Sequence, residues 1–383
     1  MHDGLNTFSP ARLGGCEITP CPDTWSKSVV YSESTLHQIA PFIGKLKSSI
    51  ARDLVQRFSR EGQTVYDPFS GAGTIGLEAW TLGRNVLVND LSPYASLLAR
   101  AKLYSPASLG RALKRLEAVG AEAATHLPSV SIEEVPAWVA EFFHPDTARE
   151  ILAWVRALRY QGDDFLLAAL LGILHHQRPG FLSYPSSHTV PYLRRNLFPR
   201  YRFPELYAYR SVRDRLEKKV RRIFKRVPEL DRTLTRRCFQ RDASAFVPPL
   251  PVDVIITSPP YMQQLDYGRD NRLRLWFLGV ENWQALDRQV SPSEDVFLQV
   301  MFKCFETWKH MLNKRKHCIL VLGDTFSRRL RRRIPSVVAE IAASKVGGYE
   351  LVSQTTSAIP KKRRVRRDYC GNHSETVLVL RRK

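Results

Sequence analysis

Apolar residues recur along this chain in two rhythms. Short β-branched or apolar runs, each closed by turn residues, predict buried strands. They are "TVYD" (64–67), "VLVN" (86–89), "RCFQRDA" (237–243), "VDVIIT" (252–257), "HCILVL" (317–322), "ELVSQTT" (350–356) and "ETVLVL" (375–380). Helical spacing fills 48–58, 74–82 and 93–103 around the first two of these runs. From 105 to about 236 the pattern is overwhelmingly helical, with its clearest stretches at 148–155 and 208–227.

Strands alternating with helices predict an α/β fold built on a doubly wound, seven-stranded, mostly parallel sheet with a helical insertion. A basic loop without a helix joins the last two strands, as in an antiparallel hairpin at one edge. The chain divides into an N-terminal segment 1–36, an α/β unit made of 37–104 and 237–383, and an insertion 105–236. Such sheets bind ligands at the carboxyl ends of their strands, where the strand order reverses. Two motifs fall at strand ends: a glycine turn and a double proline.

The turn "DPFSGAGTIGLEA" carries Gly71, Gly73 and Gly76 and satisfies G-x-G-x-x-G. A nicotinamide site is the obvious competitor, but it runs an apolar strand straight into the first glycine and seats a pyrophosphate there. Here Asp67 precedes the turn and repels a phosphate; its carboxylate suits an amino or sulfonium cation. Asp90 closes the second strand and Asp242 the third, placed to accept from ribose hydroxyls and from an adenine amino group.

"DPFSGAGT", "VNDLSP" and "TSPPY" together resemble the S-adenosylmethionine-dependent amino-group methyltransferases, most of all the cytosine-N4/adenine-N6 DNA enzymes. The resemblance covers roughly 30–104 and 237–383 and implies a Rossmann-like methyltransferase sheet. It implies S-adenosyl-L-methionine as cofactor, held by Asp67, Phe69, Gly71, Gly73 and Thr74, with Asp90 on its ribose and Asp242 on its adenine. "HQIAPFIGKLKSSIARDLV" (37–55) is similar to the segment that precedes the glycine loop in relatives, which adds Lys45.

An exocyclic base amine is a weak nucleophile because its lone pair is delocalised into the ring. Ser258 and the Pro259 carbonyl can accept from its two N–H groups. Pro259 and Pro260 fix that carbonyl with no competing donor. Tyr261 offers a stacking face to a base flipped out of the duplex. Serine at the head of the tetrad goes mostly with cytosine N4 in the family it resembles, so a site-specific cytosine-N4 DNA methyltransferase is expected. Adenine N6 in DNA and an RNA base are the alternatives. Transfer is direct from sulfur to nitrogen, without a metal. A cytosine-C5 enzyme would need a Pro-Cys at this strand end; Pro20-Cys21 lies ahead of the glycine loop.

Composition adds the partner. The net charge is +21, and residues 194–237 and 309–383 carry +11 and +14 of it, leaving −4 for everything else. Charge segregated this way predicts a polyanion, here DNA or RNA. Arg194 and Arg195 lie in an aromatic, turn-rich stretch (175–204) of the insertion, which is read as target-recognising. Arg269 follows the tetrad in "LDYGRDNRLRLWFLG". Lys361, Lys362, Arg363 and Arg364 sit in the loop between the last strands, read as lying against backbone phosphates. The basic helix 208–227 reads as a phosphate-tracking face. The resemblance to modification enzymes admits a cognate restriction nuclease as a further partner.

The longest apolar run, "FLLAALLGIL" (165–174), is too short to span a bilayer, and the N-terminus has no signal-peptide pattern. Six scattered cysteines show no metal-ligand spacing and predict reduced thiols, hence a cytoplasmic protein without a metal.

Overall fold

The computed structural model describes residues 17–27, 31–133, 135–187, 190–260, 265–290, 293–359 and 372–383. Eight strands form one sheet: β1 (Glu17–Ile18), β2 (Thr64–Asp67), β3 (Asn85–Asn89), β4 (Arg236–Phe239), β5 (Val252–Thr257), β6 (Leu312–Gly323), β7 (Tyr349–Ala358) and β8 (Ser374–Arg382). Their spatial order is β1-β7-β8-β6-β5-β2-β3-β4. From β2 the chain steps outward to β3 and β4, then returns to β5 and β6 on the other side of β2. All these neighbours are parallel. β8 lies antiparallel between β6 and β7. The order therefore reverses between β2 and β5, and both sequence motifs leave the sheet there.

All seven expected strands are present. β1, a two-residue addition outside β7, was not foreseen, nor was the small antiparallel ribbon Phe326–Ser327 with Arg332–Arg333. β6 begins well before the apolar run that announced it, because Leu312 already pairs with Val252 of β5, and an irregularity in register follows before His317 pairs with Val254.

The strands read as nearly continuous apolar runs because both faces are covered. Val254 and Ile256 of β5 enter one core, and Ile255 enters the other. The second core is closed by α-helices Glu294–Met311 and Ile334–Glu340, through Phe297, Met301, Phe305, Trp308 and Val337. The first is closed by helices α1 (Ser48–Phe58), α2 (Thr74–Thr81) and α3 (Pro93–Leu103), and by the insertion. Leu116, Ile151, Leu158 and Phe165 of the insertion lie in one core with Val65, Val86 and Ile256 of the sheet. The insertion is also less helical than its pattern predicts. Between helices Asp164–Leu171 and α4 (Val212–Ile223) the described chain is irregular apart from the isolated bridge Ser186–Leu193 and the 3-10 turn Pro204–Tyr207.

Candidate active site

The glycine loop begins where β2 ends. Gly71 and Gly73 have φ of 49° and 70°, the left-handed region that favours glycine. A Cβ on Gly73 would stand 2.9 Å from the Ala99 Cα, so α3 packs directly on loop backbone. Lys102, fully buried on α3, donates to the Ala72 carbonyl from beneath.

Asp90 braces the loop from β3. Its carboxylate accepts from the Gly71 N–H at 2.8 Å and the Ser92 N–H at 2.9 Å. Burial pushes its pKa up to about 6 against these hydrogen bonds. Asp67 is buried more deeply, and burial, helped by the Asp90 charge, raises it to about 8.

Thr257 joins the two motifs. Its hydroxyl donates to Asp67 Oδ1 at 2.7 Å and accepts from the Phe69 N–H at 3.1 Å. The last residue of β5 therefore holds both the carboxylate of the glycine turn and its backbone. The next residue, Ser258, donates its hydroxyl to the Val321 carbonyl of β6 at 3.1 Å. That spends the serine's only proton and leaves its lone pairs for incoming donors.

A single cavity of about 530 Å³ opens on all of this. Lys45, Asp67, Phe69, Gly71, Thr74, Asp90, Asp242, Ser258, Pro259 and Pro260 line it together. Gly73 shapes the loop from behind without lining the cavity. Tyr261 lies outside the described residues, as do Lys361, Lys362, Arg363 and Arg364. Lys45 Nζ donates to the His37 carbonyl at 3.0 Å. Asp242 receives the Ser244 N–H and hydroxyl on one oxygen, at 2.9 and 2.8 Å, so it turns the chain and faces the cavity at once.

Thr74 Oγ1 and Ser70 Oγ are buried in the loop with no hydrogen-bond partner among the described residues. Buried polar atoms left in this way on a cavity wall suit a polar ligand. The residues present thus fit a ligand with a cationic part, hydroxyls and an amino group.

Several wall residues went unforeseen. Val296, Phe297, Val300 and Met301 supply an apolar side, and Phe42 stacks, with ring centres 6.1 Å apart, on Tyr267, a wall residue from the stretch after the tetrad that was expected to shape the base pocket. Thr257, fully buried just behind the wall, carried a signal because it adjoins Ser258.

The basic candidates lie elsewhere. Arg194 and Arg195 line a second crevice of about 1030 Å³ with Trp138, Tyr192, Arg272 and Trp283. Arg194 donates to Gln177 at 2.6 Å, and Arg195 pairs with Glu141 at 2.9 Å. Helix Trp283–Val290 connects the two spaces: Trp283 and Gln284 face the second, Arg288 and Val290 the first. Arg269 is exposed and paired with Asp266. The expected phosphate-tracking face of α4 is interrupted, because Lys219 is buried and donates to the Gln38 carbonyl at 2.7 Å. Burial lowers Lys219 to about 7. Among the described residues no His/Cys/Asp/Glu group is placed to hold a metal, and no helix is long and apolar enough to cross a membrane.

Comparison with known proteins singles out the same region. Residues 43–125, which contain the glycine loop, match the model of the family "D12 class N6 adenine-specific DNA methyltransferase". The chain is similar to the Type II methyltransferase M.MjaII of Methanocaldococcus jannaschii, 32% identical over 68 residues. That match spans 18% of this chain and 13% of the archaeal protein. Similar solved structures include TrmN from Thermus thermophilus (TM-score 0.37, 13% identity, 91% of this chain and 53% of that one). Another is the rRNA methyltransferase aviRa from Streptomyces viridochromogenes (TM-score 0.34, 12% identity, 93% and 96%).

Proposed function

We propose that the chain is an S-adenosyl-L-methionine-dependent methyltransferase acting on the exocyclic amine of a DNA base. The Thr257 link carries this reading: one side chain fastens the cofactor-type loop to the strand end that presents Ser258 and the double proline. When bound, S-adenosylmethionine supplies an electrophilic methyl group on a sulfonium centre. Asp67, Asp90, Asp242, Thr74 and Lys45 are the residues that would hold it. Asp67, raised to about 8 without a ligand, favours a cation beside it, which restores the carboxylate. Ser258 and the Pro259 carbonyl hold the amine, their acceptor lone pairs fixed in place before the substrate arrives.

Two target atoms have an observation each. The family match supports adenine N6, but its residues 43–125 end long before the tetrad. The corner that would meet the amine begins with Ser258, which supports cytosine N4 and makes it the first reading. Incubation of the protein with labelled cofactor and duplex DNA, followed by digestion to nucleosides, decides. N4-methylcytosine is expected; N6-methyladenine establishes the second reading. Label confined to RNA, or no transfer at all, refutes the DNA assignment.

A further inference from the structure

Five arginines fall within six residues at 328–333, on the ribbon that follows β6. Three of them are anchored. Arg329 pairs with Glu294 at 3.3 Å and with Asp295, Arg332 with Glu340, and Arg333 with Asp324 at 2.8 Å. Arg328 and Arg331 are exposed and have no such partner among the described residues. Both occupy the turn between the ribbon's two strands. Arg331 is held there at φ 52°, a left-handed conformation uncommon for a residue with a Cβ. Leu330 is tucked against the second core while Ser327 Oγ accepts its N–H at 2.9 Å. The turn is thus pinned from below, and its two free guanidinium groups face solvent.

Two independent routes put this turn beside the cavity. β6 ends at Gly323, two residues past the carbonyl that receives Ser258, so the ribbon rises from the rim that carries the tetrad. Ser327 also donates to Glu294 at 2.7 Å. Within one helical turn of Glu294 come Val296 and Phe297, which wall the cavity.

Resting on the nucleic-acid reading above, we propose that the ribbon 326–333 is a DNA-backbone clamp. Arg328 and Arg331 bind phosphates flanking the target base, while Arg329, Arg332 and Arg333 hold the clamp to the protein. Guanidinium groups without an acidic partner on a preset turn suit phosphate oxygens, and each contact releases counterions.

The test is the salt dependence of binding to a labelled duplex between 50 and 200 mM KCl, with the conditions taken from the range over which such contacts are resolved. The double variant Arg328→Gln/Arg331→Gln should flatten the slope of log affinity against log salt by about 1.8, or 0.9 for each phosphate lost. Lys314→Gln removes one charge at the opposite, amino end of β6, where the side chain is exposed, and should leave the slope as in the wild type. Both proteins should keep the wild-type melting temperature. An unchanged slope in the double variant, or an equal per-charge loss in Lys314→Gln, overturns the clamp. Wild-type protein that methylates DNA under those conditions separates that outcome from failure of the enzyme reading, whereas no DNA binding by the wild type removes both.

Discussion

Asp67 is the residue whose environment differs most from its ordinary one. An unfolded aspartate titrates near 4, whereas the buried one titrates at about 8. Its burial therefore favours the folded state fully only below about pH 4, and stability is lost as pH rises toward 8. Asp67→Asn should keep the acceptor for Thr257 yet remove this loss. Thermal unfolding without ligand should show the variant gaining on the wild type from pH 5 to pH 8. Its cofactor affinity should be weaker and should lack the rise through about pH 8 that the wild type shows. Ser258→Ala tests the other half of the cavity. Transfer should slow by about 10²-fold, the usual effect of deleting one preorganised partner, with cofactor affinity nearly unchanged. Equal loss of both would mean that the corner itself had collapsed. Asp67 and Asp90 were legible in the sequence because each stands at a strand end; Asp242 was expected there too, but β4 stops at Phe239 and Asp242 reaches the cavity from the turn beyond it. Thr257 was legible as a neighbour only, since its two hydrogen bonds depend on where the glycine turn lies in space.

At the scale of elements, strands were easier to read than their surroundings. An apolar run of β-branched residues has few alternatives once both faces of the sheet are covered, and all seven runs became strands. The two-residue β1 and the arginine ribbon carry no apolar pattern and are made by pairing alone, so no periodicity announces them. The junction of β2 and β5 is where an element-level test is sharpest. Thr257→Val keeps the shape and strips the Asp67 carboxyl and the Phe69 N–H of a shared partner. Stranding buried polar groups costs about 1–3 kcal/mol each. A lower melting temperature and at least tenfold weaker cofactor binding are expected together, by calorimetry and titration; retention of wild-type affinity would mean that the loop stands without the strand.

For the whole molecule, charge segregation predicted a polyanion before any fold was known, but it did not say which basic groups stay open to solvent. Arg195 and Arg269 are paired and Lys219 is buried, whereas Arg328 and Arg331 are exposed and have no ion-pair partner among the described residues. Nor could amphipathic spacing in 105–236 say what its apolar faces would meet. They meet the sheet, so the insertion and the sheet share one core. Hydrogen exchange should accordingly report one cooperative opening for backbone amides of helix Pro145–Tyr160 and of β3. Earlier exchange throughout the helix would show two separately folding units.

The hydroxyl of Thr257 has one further consequence. Because it touches the loop that would receive the methyl donor and stands next to the serine that would receive the base, neither half of the crevice can shift unnoticed by the other. Occupancy of the first should alter grip on the second, and thermodynamic reciprocity requires the converse by the same factor. Such an enzyme would sense, through one oxygen, whether its donor is in place before committing to a flipped nucleotide.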